Sequence, residues 1–116
     1  MQANDRDERA LRFLGLAARA GRVIVGVSLI CSALQKKLAE KAPLLVLLAS
    51  DAAGNTRKRI TDRTAFYGVP LIPLVADCER LALMSGKRGG AVAAVAVTEP
   101  GLAQAIADLY GISISS

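Results

Sequence analysis

Histidine and tryptophan are absent from this chain of 116 residues, and its aromatic side chains are two phenylalanines and two tyrosines. The first absence removes the commonest general base and metal ligand together. So few rings also argue against an aromatic platform on which successive single-stranded bases would stack. The two cysteines, Cys31 and Cys78, lie far apart and form no CxxC, which excludes a structural zinc site and leaves two free thiols as the expectation. Cys31 falls in line with Val27, Leu34 and Leu38 at helical spacing and reads as a core residue. Cys78 stands between Asp77 and Glu79, whose charges oppose a thiolate.

Long apolar runs are missing too. The longest stretches without a charge, Val23–Gln35 and Thr64–Ala76, have thirteen residues each, whereas a membrane-spanning helix needs roughly 20. The opening MQANDRDER mixes both charge signs and has no apolar core of a secretory signal. A cytoplasmic location, with no membrane contact, is therefore expected. Gly86-Lys87-Arg88 lacks the earlier glycine and the following Ser or Thr of a phosphate-binding P-loop, and no GxGxxG occurs. Asp51, at the end of an apolar run, is the one carboxylate placed where catalytic acids of α/β folds sit, and a turn or capping role suits it better. Neither catalysis nor a cofactor nor a metal is expected.

What the chain does have is apolar content of 53%, enough for a single domain over residues 1–116 that buries about two thirds of its unfolded surface. The charged, unpatterned segment 1–9 is compatible with a disordered terminus. Fifteen Lys and Arg against ten Asp and Glu give a net charge of +5, which favours polyanions and makes nucleic acid the first partner to consider.

The run LLVLLASDAAGN, residues 44–55, organises the rest. A continuous apolar stretch that ends in a polar, glycine-containing turn reads as a central strand covered by helices on both faces. Before it come a helix over Asp5–Ala20 stopped by Gly21, a short strand Val23–Val25, and a helix over Val27–Lys41 entered through Gly26, whose Lys36, Lys37 and Lys41 complement its C-terminal dipole. After it, Asn55 is the expected N-cap of a basic helix, TRKRITDR, in which Thr56, Ile60, Thr64 and Tyr67 share a thin inner stripe. Lys58 and Asp62 are set for an i, i+4 pair. Gly68 ends that helix, and the prolines of Val69–Val75 make the next strand short or place it near an edge. A short helix over Asp77–Ser85, the loop GKRGG, a buried strand Ala91–Thr98 and a last helix opened by Glu99 and Pro100 complete an α/β sandwich of about four strands, with a mixed sheet open as an alternative to a parallel one.

Three segments carry glycine turns and positive charge together: Arg19–Ser28, Asn55–Arg59 and Gly86–Gly90. The helix starts after Gly26 and Gly54 add backbone N–H groups that favour phosphate. Structured RNA, read by its shape and backbone, fits these segments better than a single-strand code.

The stretches Leu14–Gly21 (LGLAARAG), Leu45–Asp51 (LVLLASD), Asn55–Arg59 (NTRKR), Tyr67–Pro70 (YGVP) and Leu81–Gly86, in this order over about Leu11–Leu109, resemble the superfamily of kink-turn RNA-binding ribosomal proteins called L-seven-Ae and L-thirty-e, most closely its bacterial YlxQ branch. The resemblance implies a three-layer α/β/α sandwich with a mixed four-stranded sheet. It also implies an RNA site at the turn into the second helix, the turn into the basic helix and the loop before the last strand. In kink-turn binders the second helix opens with Gly-x-Asn-Glu-x-x-Lys, whose polar side chains meet sheared G·A pairs. Here Gly26 matches, while Ser28 stands for Asn, Leu29 for Glu and Ser32 for Lys. Backbone and phosphate contacts remain available where those side chains are missing. Ala82 also departs from a frequent family glycine.

The first expectation is a non-catalytic protein that binds ribosomal or other structured RNA. Arg19, Arg22, Arg57, Lys58, Lys87 and Arg88 would meet phosphates, Gly26 and Ser28 would lie nearest the bases, and Val27, Ser32 and Asn55 would complete the RNA-binding set. The second is a protein-interaction module of the same fold, in which Val27 and an exposed Leu29 meet a protein partner. A nucleotide-binding enzyme is the least favoured.

Overall fold

A computed structural model describes residues 3–36, 42–87 and 90–114. Five helices and four strands follow in the order α1 (Ala3–Arg19), β1 (Val23–Val25), α2 (Val27–Lys36), β2 (Leu45–Leu48), α3 (Gly54–Tyr67), β3 (Leu71–Pro73), α4 (Cys78–Met84), β4 (Ala94–Val97) and α5 (Pro100–Leu109). The strands form one mixed sheet in the order β1-β4-β2-β3, with β4 antiparallel to both β1 and β2 and β3 parallel to β2. The proline-containing strand is at an edge, as its missing N–H groups require.

Every residue of β2 and β4 is buried. Alternation divides them between two cores: Leu45, Leu47, Val95 and Val97 face α1, α4 and α5 with Leu11, Leu14, Leu81 and Ile106. Val46, Leu48, Ala94 and Ala96 face α2 and α3 with Ile30, Leu34 and Ile60. The result is a three-layer α/β/α sandwich. Each fully buried Leu or Ile contributes about 1.5–3 kcal/mol relative to exposure.

The helix ends follow local chemistry with one exception. Asp77 accepts from the N–H of Arg80 at 2.8 Å to open α4, Glu99 accepts from Gly101 and Leu102 at 3.1 and 2.6 Å to open α5, and Gly68 closes α3 at φ 71°. Asn55 is not the cap of α3. That helix starts at Gly54 behind Ala53, whose carbonyl already accepts from the N–H of Arg57 at 2.8 Å. Asn55 therefore lies inside the first turn, and its Oδ1 takes the adjacent N–H of Thr56 at 2.9 Å. The inner stripe of α3 is as expected, with Ile60 and Thr64 buried.

Helix α1 starts at Ala3, so the charged opening segment is helical from that residue. Its Asp7 is buried and accepts from the backbone N–H groups of Val75 and Ala76 at 2.6 and 3.0 Å and from the Tyr110 hydroxyl at 2.7 Å. One carboxylate thus ties α1 to the end of β3 and to the close of α5. Lys37 and Lys41, expected at the end of the second helix, lie outside the described residues.

Candidate nucleic-acid interface

The strand directions bring three turns to one end of the sheet. Gly26 follows β1, Ser50–Ala53 follow β2, and residues 90–93 lead into β4. Backbone bonds tie them together: Gly26 N–H to Ala94 O at 3.0 Å, Ala49 N–H to Ala93 O at 2.8 Å, Ser50 N–H to Ala76 O at 2.9 Å and Val92 N–H to Cys78 O at 3.0 Å. Gly26 has φ 102°, a conformation that favours glycine, and its carbonyl accepts from Ile30 N–H to begin α2. Three helix N-termini, those of α2, α3 and the short α4, start from this end of the sheet.

Ser28 is exposed on the first turn of α2, with Val27 half-buried beside it and Ser32 one turn on. Leu29 is 63% exposed. Asn55 is exposed at the start of α3. Arg57 is drawn inward: its Nη2 donates to Ser50 O at 2.8 Å and to Ala49 O at 3.4 Å, closing the turn that the helix leaves. Lys58 pairs with Asp62 at 2.9 Å, both well exposed, so the pair is worth little and opens readily to a competing anion. Lys87 is exposed after α4 and lines a cleft of about 620 Å³ with Asp77, Glu79, Arg80 and Leu83. The guanidinium of Arg80 is engaged by both carboxylate oxygens of Glu8, at 2.9 and 2.7 Å. Arg88 lies outside the described residues.

Arg19 and Arg22 are at the other end. Arg22 precedes β1, and its Nη2 donates to Thr98 O at 3.1 Å and its Nε to Thr98 Oγ1 at 3.5 Å, at the far end of β4. The length of β1, about 10 Å, separates it from Gly26. Sequence proximity grouped Arg19–Ser28 as one segment, but the strand between its halves sends them to opposite ends of the sheet.

Asp51 fills a turn role, as expected. Its Oδ1 accepts from the Cys78 N–H at 2.7 Å, and bonds from the Cys78 thiol and then the Cys78 backbone hold its carboxyl below the usual range. Burial, then the hydrogen bond and charge of Asp51, then the charge of Asp77 push the Cys78 thiol up to about 11. The pairing with Asp51 was not legible from the neighbours Asp77 and Glu79, because it crosses from the end of β2 to the start of α4.

The α/β/α sandwich thus gathers the turn at Gly26, the turn after β2 and the segment leading into β4, with the helix starts that follow, at one end of the sheet, the layout of a small binding domain. A scan against protein-family models finds none that matches the chain. Among curated proteins, the RNA-binding protein YlxQ of Bacillus subtilis (strain 168) is 38% identical over 96 residues, covering 83% of this chain and 89% of the relative. The RNA-binding protein YlxQ of Enterococcus faecium is 34% identical over 80 residues, covering 69% of this chain and 73% of the relative. The chain belongs to the YlxQ family. A solved structure of a protein of unknown function from Bacillus halodurans C superposes with a TM-score of 0.76 at 29% identity, covering 88% of this chain and 96% of that one. The Giardia lamblia 15.5kD RNA binding protein shares the fold, with a TM-score of 0.72 at 15% identity, covering 92% of this chain and 86% of that one.

Proposed function

We propose that this protein is a non-catalytic, cytoplasmic RNA-binding protein that recognises structured RNA, of kink-turn or ribosomal type, with the sheet end formed by Gly26–Ser28, the start of α3 and the loop carrying Lys87. The convergence of these three segments, joined through the Gly26–Ala94 and Ala49–Ala93 hydrogen bonds, is the observation that carries the reading. The name borne by the two YlxQ relatives supports RNA as the partner.

Backbone N–H groups at the starts of α2 and α3 meet phosphates without reading sequence. The charges of Lys87 and Arg88 add to the attraction for phosphate, and Ser28 and Asn55 supply the polar side chains nearest the bases. With Ser28, Leu29 and Ser32 in place of the family's Asn, Glu and Lys, recognition relies on the bent shape and on phosphates more than on base edges.

The test compares a kink-turn RNA with a straight duplex of equal length across salt concentrations. Tighter binding to the bent RNA that persists at higher salt is expected. Equal binding that vanishes steeply with salt overturns shape recognition.

One observation favours a second reading. Leu29, 63% exposed, borders a groove between α2 and the outer edge of β1 that Ile24, Val25 and Ala33 also line. An apolar residue at this position suits a protein contact. Leu29→Glu would leave RNA affinity intact or improve it if RNA is the partner there, and would abolish a protein complex otherwise.

A further inference from the structure

Phe66 is the most exposed large apolar side chain among the described residues, at 80%. It lies near the end of α3, the helix whose N-terminus belongs to the proposed site. At about 3.6 residues per turn, Asn55, Arg59, Arg63 and Phe66 fall within about 80° of one another, on a face centred about 120° round the helix from the buried Ile60 and Thr64. All four are exposed. Neither Arg59 nor Arg63 has an ion-pair partner among the described residues, and the one acid beside them, Asp62, is engaged by Lys58 at 2.9 Å. The Phe66 and Tyr67 rings form a T-shaped pair, with centroids 4.9 Å apart and planes at 82°. Tyr67 packs on the core beneath α3, so Phe66, 80% exposed, is braced by a neighbour that is itself anchored.

We propose that this face of α3 is a second RNA-contact track, on which a single-stranded segment leaving the structured element places phosphates against Arg59 and Arg63 and one unpaired base on the ring of Phe66. The proposal rests on the reading of the sheet end as an RNA site. Two guanidiniums free of carboxylates beside a fixed ring are the chemistry of single-strand binding, which joins a basic path to a stacking face and needs no sequence code. From Asn55 to Phe66 the helix rises about 16 Å, the length of about five nucleotides of stacked strand. A chain with few aromatics cannot form a platform for successive bases, but one ring at the end of a basic stripe holds one base.

The experiment measures binding to a blunt kink-turn hairpin and to the same hairpin with a six-uridine tail on its 5′ or its 3′ end. The intact protein is expected to bind one tailed hairpin about tenfold more tightly than the blunt one. Phe66→Ala and Phe66→Leu should each remove most of that advantage while leaving blunt-hairpin affinity and the salt slope unchanged, and Phe66→Trp should keep it. Arg59→Ala with Arg63→Ala should reduce the tail-dependent salt slope by about 1.4. Because all three side chains are exposed, the variants are expected to keep the far-UV circular dichroism and melting temperature of the parent. Tails that add nothing while the blunt hairpin binds overturn the track and leave the sheet-end site standing. A tail advantage that survives in Phe66→Leu overturns stacking as its cause. Failure to bind either the blunt or the tailed hairpins overturns the sheet-end reading and the track together.

Discussion

The N–H of Gly26 donates to the carbonyl of Ala94 at 3.0 Å, joining the turn into α2 to the strand entered from the Lys87 loop. Gly26 holds φ 102°, and a Cβ there would meet nothing within 4 Å. Gly26→Ala should therefore cost backbone strain alone, about 1–3 kcal/mol in urea unfolding, and weaken RNA binding by moving the start of α2. An unchanged unfolding midpoint would contradict the strain.

Lys87→Ala should lower the slope of log affinity against log salt by about 1, with a uniform loss across RNA sequences. Arg19→Ala, at the other end of the sheet, should leave both affinity and slope unchanged. The two variants titrated side by side separate a defined site from a general excess of positive charge.

Asp7→Ala should be among the most destabilising substitutions outside the apolar core. It removes the acceptor of three part-buried donors, the N–H groups of Val75 and Ala76 and the Tyr110 hydroxyl, and should cost about 2–4 kcal/mol in all. Tyr110→Phe removes a single bond and should cost about 1 kcal/mol. Equal losses in the two variants would contradict the shared-carboxylate account.

Acid and alkali should each destabilise the protein through identifiable groups. Asp51 is held below its ordinary value of 3.8 by the Cys78 thiol and backbone, and Glu99 below 4.5 by the N–H groups of Leu102 and Gly101. Because folding lowers both, their contribution is present above those values and lost as pH falls through and below them. Cys78 behaves in the opposite sense: burial and Asp51 raise it from 9.0 to about 11, so its contribution is present below about 9 and lost as pH rises from there towards 11. Urea midpoints across this range should fall at both ends, and a midpoint at pH 3 equal to that at pH 6 would contradict the acid limb. Asp51→Ala should also speed alkylation of Cys78 at pH 9.

The parts of the fold set by local pattern were legible in the sequence. The doubly buried β2, the glycine stop at residue 68, the proline-bearing edge strand and the opening of the last helix at Glu99 and Pro100 each follow from a few adjacent residues. What escaped depends on contacts distant in sequence. Asp7 stands in a segment with no apolar pattern, and its burial is decided by Val75, Ala76 and Tyr110. Arg57 looks like a free cation until the carbonyls of Ala49 and Ser50 turn towards it. Arg22 and Gly26 are four positions apart, and only the extended conformation of β1 shows that they serve opposite ends of the sheet.

The most direct test of the sheet-end site is a titration of the isotope-labelled protein with a kink-turn hairpin, followed residue by residue through its amide NMR signals. The account predicts that Gly26, Val27, Ser28, Asn55 and Lys87 shift first and most, while Gly21 and Arg22 stay still. Shifts centred on Arg19–Arg22, with none at Gly26 or Lys87, would contradict it.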